Sequence, residues 1–98
     1  MPKYVIQRRF EVGADVPELG KESNRVIKDQ VPEVTWLHSH VVVEDDGKHV
    51  RMFCIYEAPN EAALYRHAEA LGHHVVEAIY EVAGDVTPAD FPLEDQPA

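Results

Sequence analysis

Two histidines separated by one residue, His38 and His40, stand in a run of strand-forming residues, EVTWLHSHVVVE. In an extended strand the side chains at i and i+2 leave the same face, so the two imidazoles project together, about 7 Å apart. Neutral imidazole is the commonest nitrogen ligand for transition metals, and a cysteine thiolate adds charge and softness. The single cysteine, Cys54, lies in the next strand-like run, KHVRMFCIYEA, and Asp45-Asp46-Gly47 joins the two. A His–His–Cys donor set on one hairpin would suit nickel, zinc or copper. Its assembly depends on register. A two-residue turn on Asp46-Gly47 pairs Asp45 with Lys48. A three-residue loop, with Gly47 as a left-handed bulge, pairs Glu44 with Lys48 instead. That second register sets His38 opposite Cys54, His40 opposite Met52 and Trp36 opposite Tyr56. It segregates polarity better and is the one expected, since a one-residue slip would send these side chains to opposite faces.

His67 adds a further nitrogen. It falls in the apolar stripe Ala63, Leu64, His67, Ala68, Leu71 of a helical segment, at a place where leucine would be ordinary. Its ring should therefore point at the sheet, where a buried polar group without partners costs roughly 1–3 kcal/mol. A metal would satisfy it; so would a tyrosine hydroxyl or a backbone carbonyl. Tyr56 shares the parity of Cys54 and would line any pocket there, whereas Glu57 reads as a surface charge that could double as an oxygen ligand. His73-His74 and His49 read as solvated. The plainer alternative for Cys54 and the histidines is a hydrogen-bonded core. No Gly-rich phosphate loop, GxSxG, CxxC or HExxH pattern occurs, and no acid is placed to orient a Cys54–His67 nucleophile pair.

The elements that must position these residues are legible from periodicity and punctuation. Lys3–Phe10 alternates, with Tyr4, Ile6 and Phe10 on one parity, and reads as a strand. Glu18–Gln30 carries a helical stripe of Leu19, Val26 and Ile27, with Ser23 in the remaining position; Pro17 suits its first turn and Pro32 stops it. The hairpin follows. Asn60 caps a second helix that Gly72 ends, and Val75–Val82 is a fourth strand. Strand, helix, strand, strand, helix, strand is the ferredoxin-like α+β order, a four-stranded antiparallel sheet with two helices on one face. Large apolar groups on both parities of the hairpin point to a homodimer that covers the second face. The domain is expected over residues 1–88, followed by an acidic, proline-containing tail over 89–98.

The 98 residues leave room for one domain, and 45% hydrophobic with 28% charged residues describes an ordinary globular chain. A formal charge of −9, from nine Lys plus Arg against eighteen Asp plus Glu, opposes nucleic-acid and anionic-membrane partners. No apolar run approaches the roughly 20 residues of a membrane span, and no secretory signal opens the chain. One cysteine gives no internal disulfide, so a cytoplasmic protein is expected. Basic residues 1–10 and acidic residues 81–98 should lie close enough to offset each other.

The stretch CIYEAPNEAALYRHAEALG, preceded by VTWLHSHVV and by the opening MPKYVIQRRF, resembles a family of short bacterial nickel-binding proteins of ferredoxin-like fold. The matching features are the turn from Tyr56 to Glu61 and the pair His67-Ala68, and the resemblance spans roughly residues 1–88. It implies a dimer that binds nickel through side chains of sheet and helix, without an established reaction. His40, where relatives often have tyrosine, and His73-His74, where they often have Phe-Pro, add nitrogen donors. The expectation is a nickel-binding protein for metal storage or sensing, with His38, His40, Cys54, Tyr56 and His67 as ligands. Zinc and copper follow along the same affinity series. The alternative is a small-molecule-binding enzyme of the dimeric α+β barrel type, using the cleft between sheet and helices.

Overall fold

Alternation along Lys3–Phe10 produces the first strand, β1, whose residues Tyr4, Ile6, Arg8 and Phe10 are all buried in the computed structural model, which describes residues 1–94. Asp15 then caps α1 (Val16–Gln30), its carboxylate accepting from the Glu18 N–H at 3.1 Å, with Pro17 in the first turn, where its missing N–H leaves nothing unpaired. β2 (Thr35–Val42) and β3 (Val50–Glu57) form the hairpin. Asn60 caps α2 (Glu61–Leu71) by accepting from the Ala63 N–H at 3.0 Å. Gly72 and His73, with φ of 68° and 60°, turn the chain straight into β4 (His74–Glu81). The strand order is β2-β3-β1-β4, every neighbouring pair antiparallel. This is the expected ferredoxin-like α+β fold.

Both helices cover one face of the sheet. Ile6, Ala58, Ala63 and Leu64 are completely enclosed there, and Val26, Val31 and Val34 join them from the α1 side. The opposite face carries half-buried Val5, Phe53 and Ile55 beside exposed Val75 and Tyr80. A polar band crosses that face, in which Glu77 bonds Arg51 at 3.0 Å and Gln7 at 3.1 Å.

The hairpin register departs from expectation. Trp36 lies opposite Tyr56, as the three-residue loop required, but from His38 onward the pairing is shifted by one. Ser39 faces Cys54, His38 faces Ile55 and His40 faces Phe53. The two competing registers both occur, one on each side of an extra residue at Leu37, which is 39% exposed. Such a bulge reverses the parity of everything beyond it. Its anchor is visible: the Trp36 indole N–H donates to the Ser39 hydroxyl at 2.9 Å, an i to i+3 contact made possible because the bulge brings both onto the helix-covered face. At the tip, the Gly47 N–H donates to the Glu44 carbonyl at 3.1 Å with Gly47 left-handed (φ 64°), as the three-residue loop required, although strand pairing already ends at Val42 and Arg51. Asp46 accepts from the backbone N–H groups of Lys48 and His49 and pairs with the His49 ring.

The termini meet as their charges suggest, Lys3 pairing with Asp85 at 2.8 Å. Beyond Val82 the chain is exposed through residue 94, with one short 3-10 turn over Pro88–Asp90. Residues 95–98 of the expected acidic tail lie outside the described residues.

Leu64 is fully enclosed between α2 and the sheet. Its truncation to alanine should lower the unfolding free energy by about 2–5 kcal/mol. The same change at the bulge residue Leu37 should lower it by less than about 1 kcal/mol. Paired urea titrations measure both.

Candidate functional site

The chemistry beneath the helices is organised by a residue that carries charge where apolar side chains belong. Arg8 alternates with Tyr4, Ile6 and Phe10 and is 1% exposed. Its Nη2 lies 3.1 Å from His67 Nδ1, and its Nη1 lies 3.3 Å from His74 Nε2. A guanidinium can only donate, so each facing ring nitrogen must present a lone pair. Each histidine is therefore neutral, with its remaining N–H on the far nitrogen. His67 Nε2–H donates to the Ser23 hydroxyl at 3.0 Å, and His74 Nδ1–H donates to the Gly72 carbonyl at 2.7 Å. Burial, reinforced by the Arg8 charge, depresses the pKa of His67 to about 4 and lowers that of His74 as well. The guanidinium carbon also lies 5.2 Å from the centroid of the Tyr56 ring, a cation–π contact. Burial pushes the Tyr56 phenol up to about 12, so it stays protonated.

Beside this cluster, between α1 and the sheet, lies a cavity of about 200 Å³. Arg8, Ser23, Trp36, Ser39, Cys54 and Tyr56 border it, and the rest of its wall is apolar. Arg8 Nε–H is buried with no hydrogen-bond partner. The small-molecule alternative expects a cleft lined by Tyr4, Trp36, Tyr56 and His67; of these Trp36 and Tyr56 border this cavity and Tyr4 and His67 do not.

The five residues expected to share a metal are divided by the sheet. Cys54, Tyr56 and His67 are buried on the helix side, whereas His38 and His40 are exposed on the other. The expected opposition of His38 with Cys54 and of His40 with Met52 is replaced by Ile55 and Phe53, the physical reason being the Leu37 bulge. The two exposed rings remain together, their centroids 5.3 Å apart. Among the described residues, no cluster of three or more His, Cys, Asp or Glu side chains is arranged to hold a metal ion. The buried trio fits a dication poorly for a separate reason: both ring nitrogens of His67 are hydrogen-bonded, and a guanidinium occupies the place a cation would need. The exposed pair meets the first requirement of a metal, two imidazoles close together and free of side-chain hydrogen bonds among the described residues.

The family description for nickel responsive proteins of the SCO4226-like type matches residues 4–82. The chain belongs to the SCO4226-like family. A nickel-related role is thereby set at the level of the SCO4226-like family. The crystal structure of SCO4226 from Streptomyces coelicolor A3(2) aligns with 86% of this chain and 99% of its own, at 20% identity and a TM-score of 0.62, a likeness of fold. The structural-genomics protein YJCS aligns with 87% and 100%, at 17% identity and a TM-score of 0.43. No curated protein sequence matches the chain. Among the described residues no helix is long and apolar enough to cross a membrane.

Sequence reasoning overlooked Arg8, although its signal was present: it sits on the buried parity of the first strand. It also read His74 as solvated, whereas the sharp turn at Gly72-His73 tucks that ring against Phe10, 4.7 Å between centroids, and under Arg8.

The neutral histidines make stability depend on pH. The unfolded chain takes up a proton at His67 below about 6.5, and the folded chain resists until about 4. Unfolding then binds protons, so stability is level above that upper value and falls as pH drops through the interval. His67 alone should cost about 2 kcal/mol at pH 5. The lowered carboxylates Glu33, Glu77 and Asp85 act at lower pH. In His67→Gln, whose amide can still accept from Arg8 and donate to Ser23, the loss of stability between pH 7 and pH 5 should shrink by more than half in chemical denaturation.

Proposed function

We propose that this chain binds nickel on the open face of its sheet, with His38 and His40 as the nitrogen donors. The observation that carries this reading is the exposed pair of imidazoles on one strand face, 5.3 Å between ring centroids. Membership of a nickel responsive family supports the metal, and a net charge of −9 supports attraction of cations to the surface. Two imidazoles are fewer donors than nickel takes, so water or a second copy of the chain completes the shell. A second copy is favoured by the apolar Val5, Phe53 and Ile55 on the same face, which a homodimer would cover. Cys54, Tyr56 and His67 then serve the core rather than the first contact with metal. The chain would act as a metal store or sensor, and its single free cysteine supports a cytoplasmic setting. Zinc and copper compete for the same nitrogens, with copper binding tighter on general grounds.

Calorimetric titration of untagged protein with nickel at pH 7.5 tests the assignment. Saturable binding should weaken by roughly tenfold or more in the double variant His38→Ala/His40→Ala, the loss of two metal–nitrogen bonds, and should survive in Cys54→Ser. It should also weaken toward pH 5, where protons compete for the imidazoles. Loss of binding in Cys54→Ser with retention in the double histidine variant would move the site into the core and refute the reading. Sedimentation with and without nickel reports whether a second copy takes part.

A further inference from the structure

Among the described residues Arg8 is the one buried charge. None of the ion pairs involves it, so no carboxylate of the described chain offsets it. Its hydrogen-bond partners are neutral rings, and its Nε–H has none. A buried cation without a counter-charge is among the more unfavourable arrangements a core can hold. Here it borders a cavity, and the cavity is otherwise built for an apolar body: Phe10, Val16, Leu19, Met52 and Leu71 form much of its wall.

We propose that this cavity binds a small organic anion, a single-ring aromatic carboxylate, with the carboxylate on the Arg8 guanidinium and the ring between Trp36 and the apolar wall. Charge sets the sign and the count: one guanidinium, free of acids, matches one monoanion. Hydrogen bonding agrees. The Ser39 hydroxyl, which accepts from Trp36, keeps its own O–H to give. The Arg8 Nε–H, unpartnered but enclosed with the side chain 1% exposed, becomes a second donor when the guanidinium turns toward a bound carboxylate. Volume sets the size. A dry cavity of about 150 Å³ takes benzene, so 200 Å³ has room for one ring and its carboxylate. The apolar wall disfavours phosphate or sulfate, whose remaining oxygens would be left without donors. Gly20 of α1 borders the cavity; a Cβ there would meet the Trp36 ring in ordinary contact at 3.8 Å, whereas a long side chain would occupy the space.

Trp36 is the only tryptophan of the chain and borders the cavity, so its fluorescence reports occupancy. Benzoate should change that emission saturably. Benzamide, the same shape without charge, and acetate, the same charge without the ring, should each bind roughly tenfold or more weakly. Arg8→Met should abolish the benzoate response while circular dichroism shows the fold retained. Gly20→Leu should abolish it with Arg8 in place, which decides the matter if Arg8→Met does not fold. A chelator should leave the response unchanged, which separates this site from nickel on the open face. The proposal is overturned if benzoate gives no saturable response at millimolar concentration, if benzamide or acetate binds as well as benzoate, or if Gly20→Leu binds benzoate like the parent chain.

Discussion

A guanidinium held 1% exposed, with imidazoles rather than carboxylates around it, is the constraint from which much of this molecule follows. Arg8 stands on a central strand and reaches α2 through His67 and β4 through His74, and His67 passes the contact on to Ser23 of α1. Four elements are thus tied through one side chain. Because the guanidinium only donates, both rings must stay neutral, in opposite tautomers, each giving its remaining proton to an oxygen. A helix position that periodicity would assign to leucine is histidine for this reason. Ser23, a polar break in the α1 stripe, is its counterpart.

The sheet divides two chemistries. Beneath it lies a fixed positive charge among neutral rings and apolar walls, a place hostile to metal cations. Above it lie two exposed imidazoles on a chain whose net charge is −9, a place that draws cations in. The sheet's thickness keeps the two apart. Had the hairpin paired throughout as Trp36 pairs with Tyr56, His38 and His40 would have joined Arg8 under the helices, adding polar rings to a core already carrying a charge.

The order of elements was legible because each obeys its own local rule. Strands alternate, α1 begins at an Asp cap with proline in its first turn, and α2 runs from an Asn cap to glycine. The hairpin register was legible only in part. Polarity along β2 favours one register throughout, whereas the bulge puts both Trp36 and Ser39 on the helix-covered face, where the indole bonds the hydroxyl, a tertiary arrangement that polarity alone does not reveal. The candidate site suffered accordingly, since a shift of one residue moved two of its five members to the other face. Arg8 was visible as a charge on a buried parity. Its partners were not, because His67 and His74 stand 59 and 66 residues away and only the fold brings them near.

The single extra residue at Leu37 has a consequence for how such a chain diverges over time. Substitution alters which side chain stands at a position, whereas a change of length by one residue between Trp36 and Ser39 exchanges the inner and outer surfaces of the rest of that edge strand. The residues beyond it would keep their identities and trade their audiences, imidazoles turning inward and Ser39 and Val41 outward. Insertions and deletions at this edge are therefore a different class of evolutionary event from point changes. Two relatives with nearly identical residues here, but unequal spacing after Trp36, would present different chemistry to the solvent.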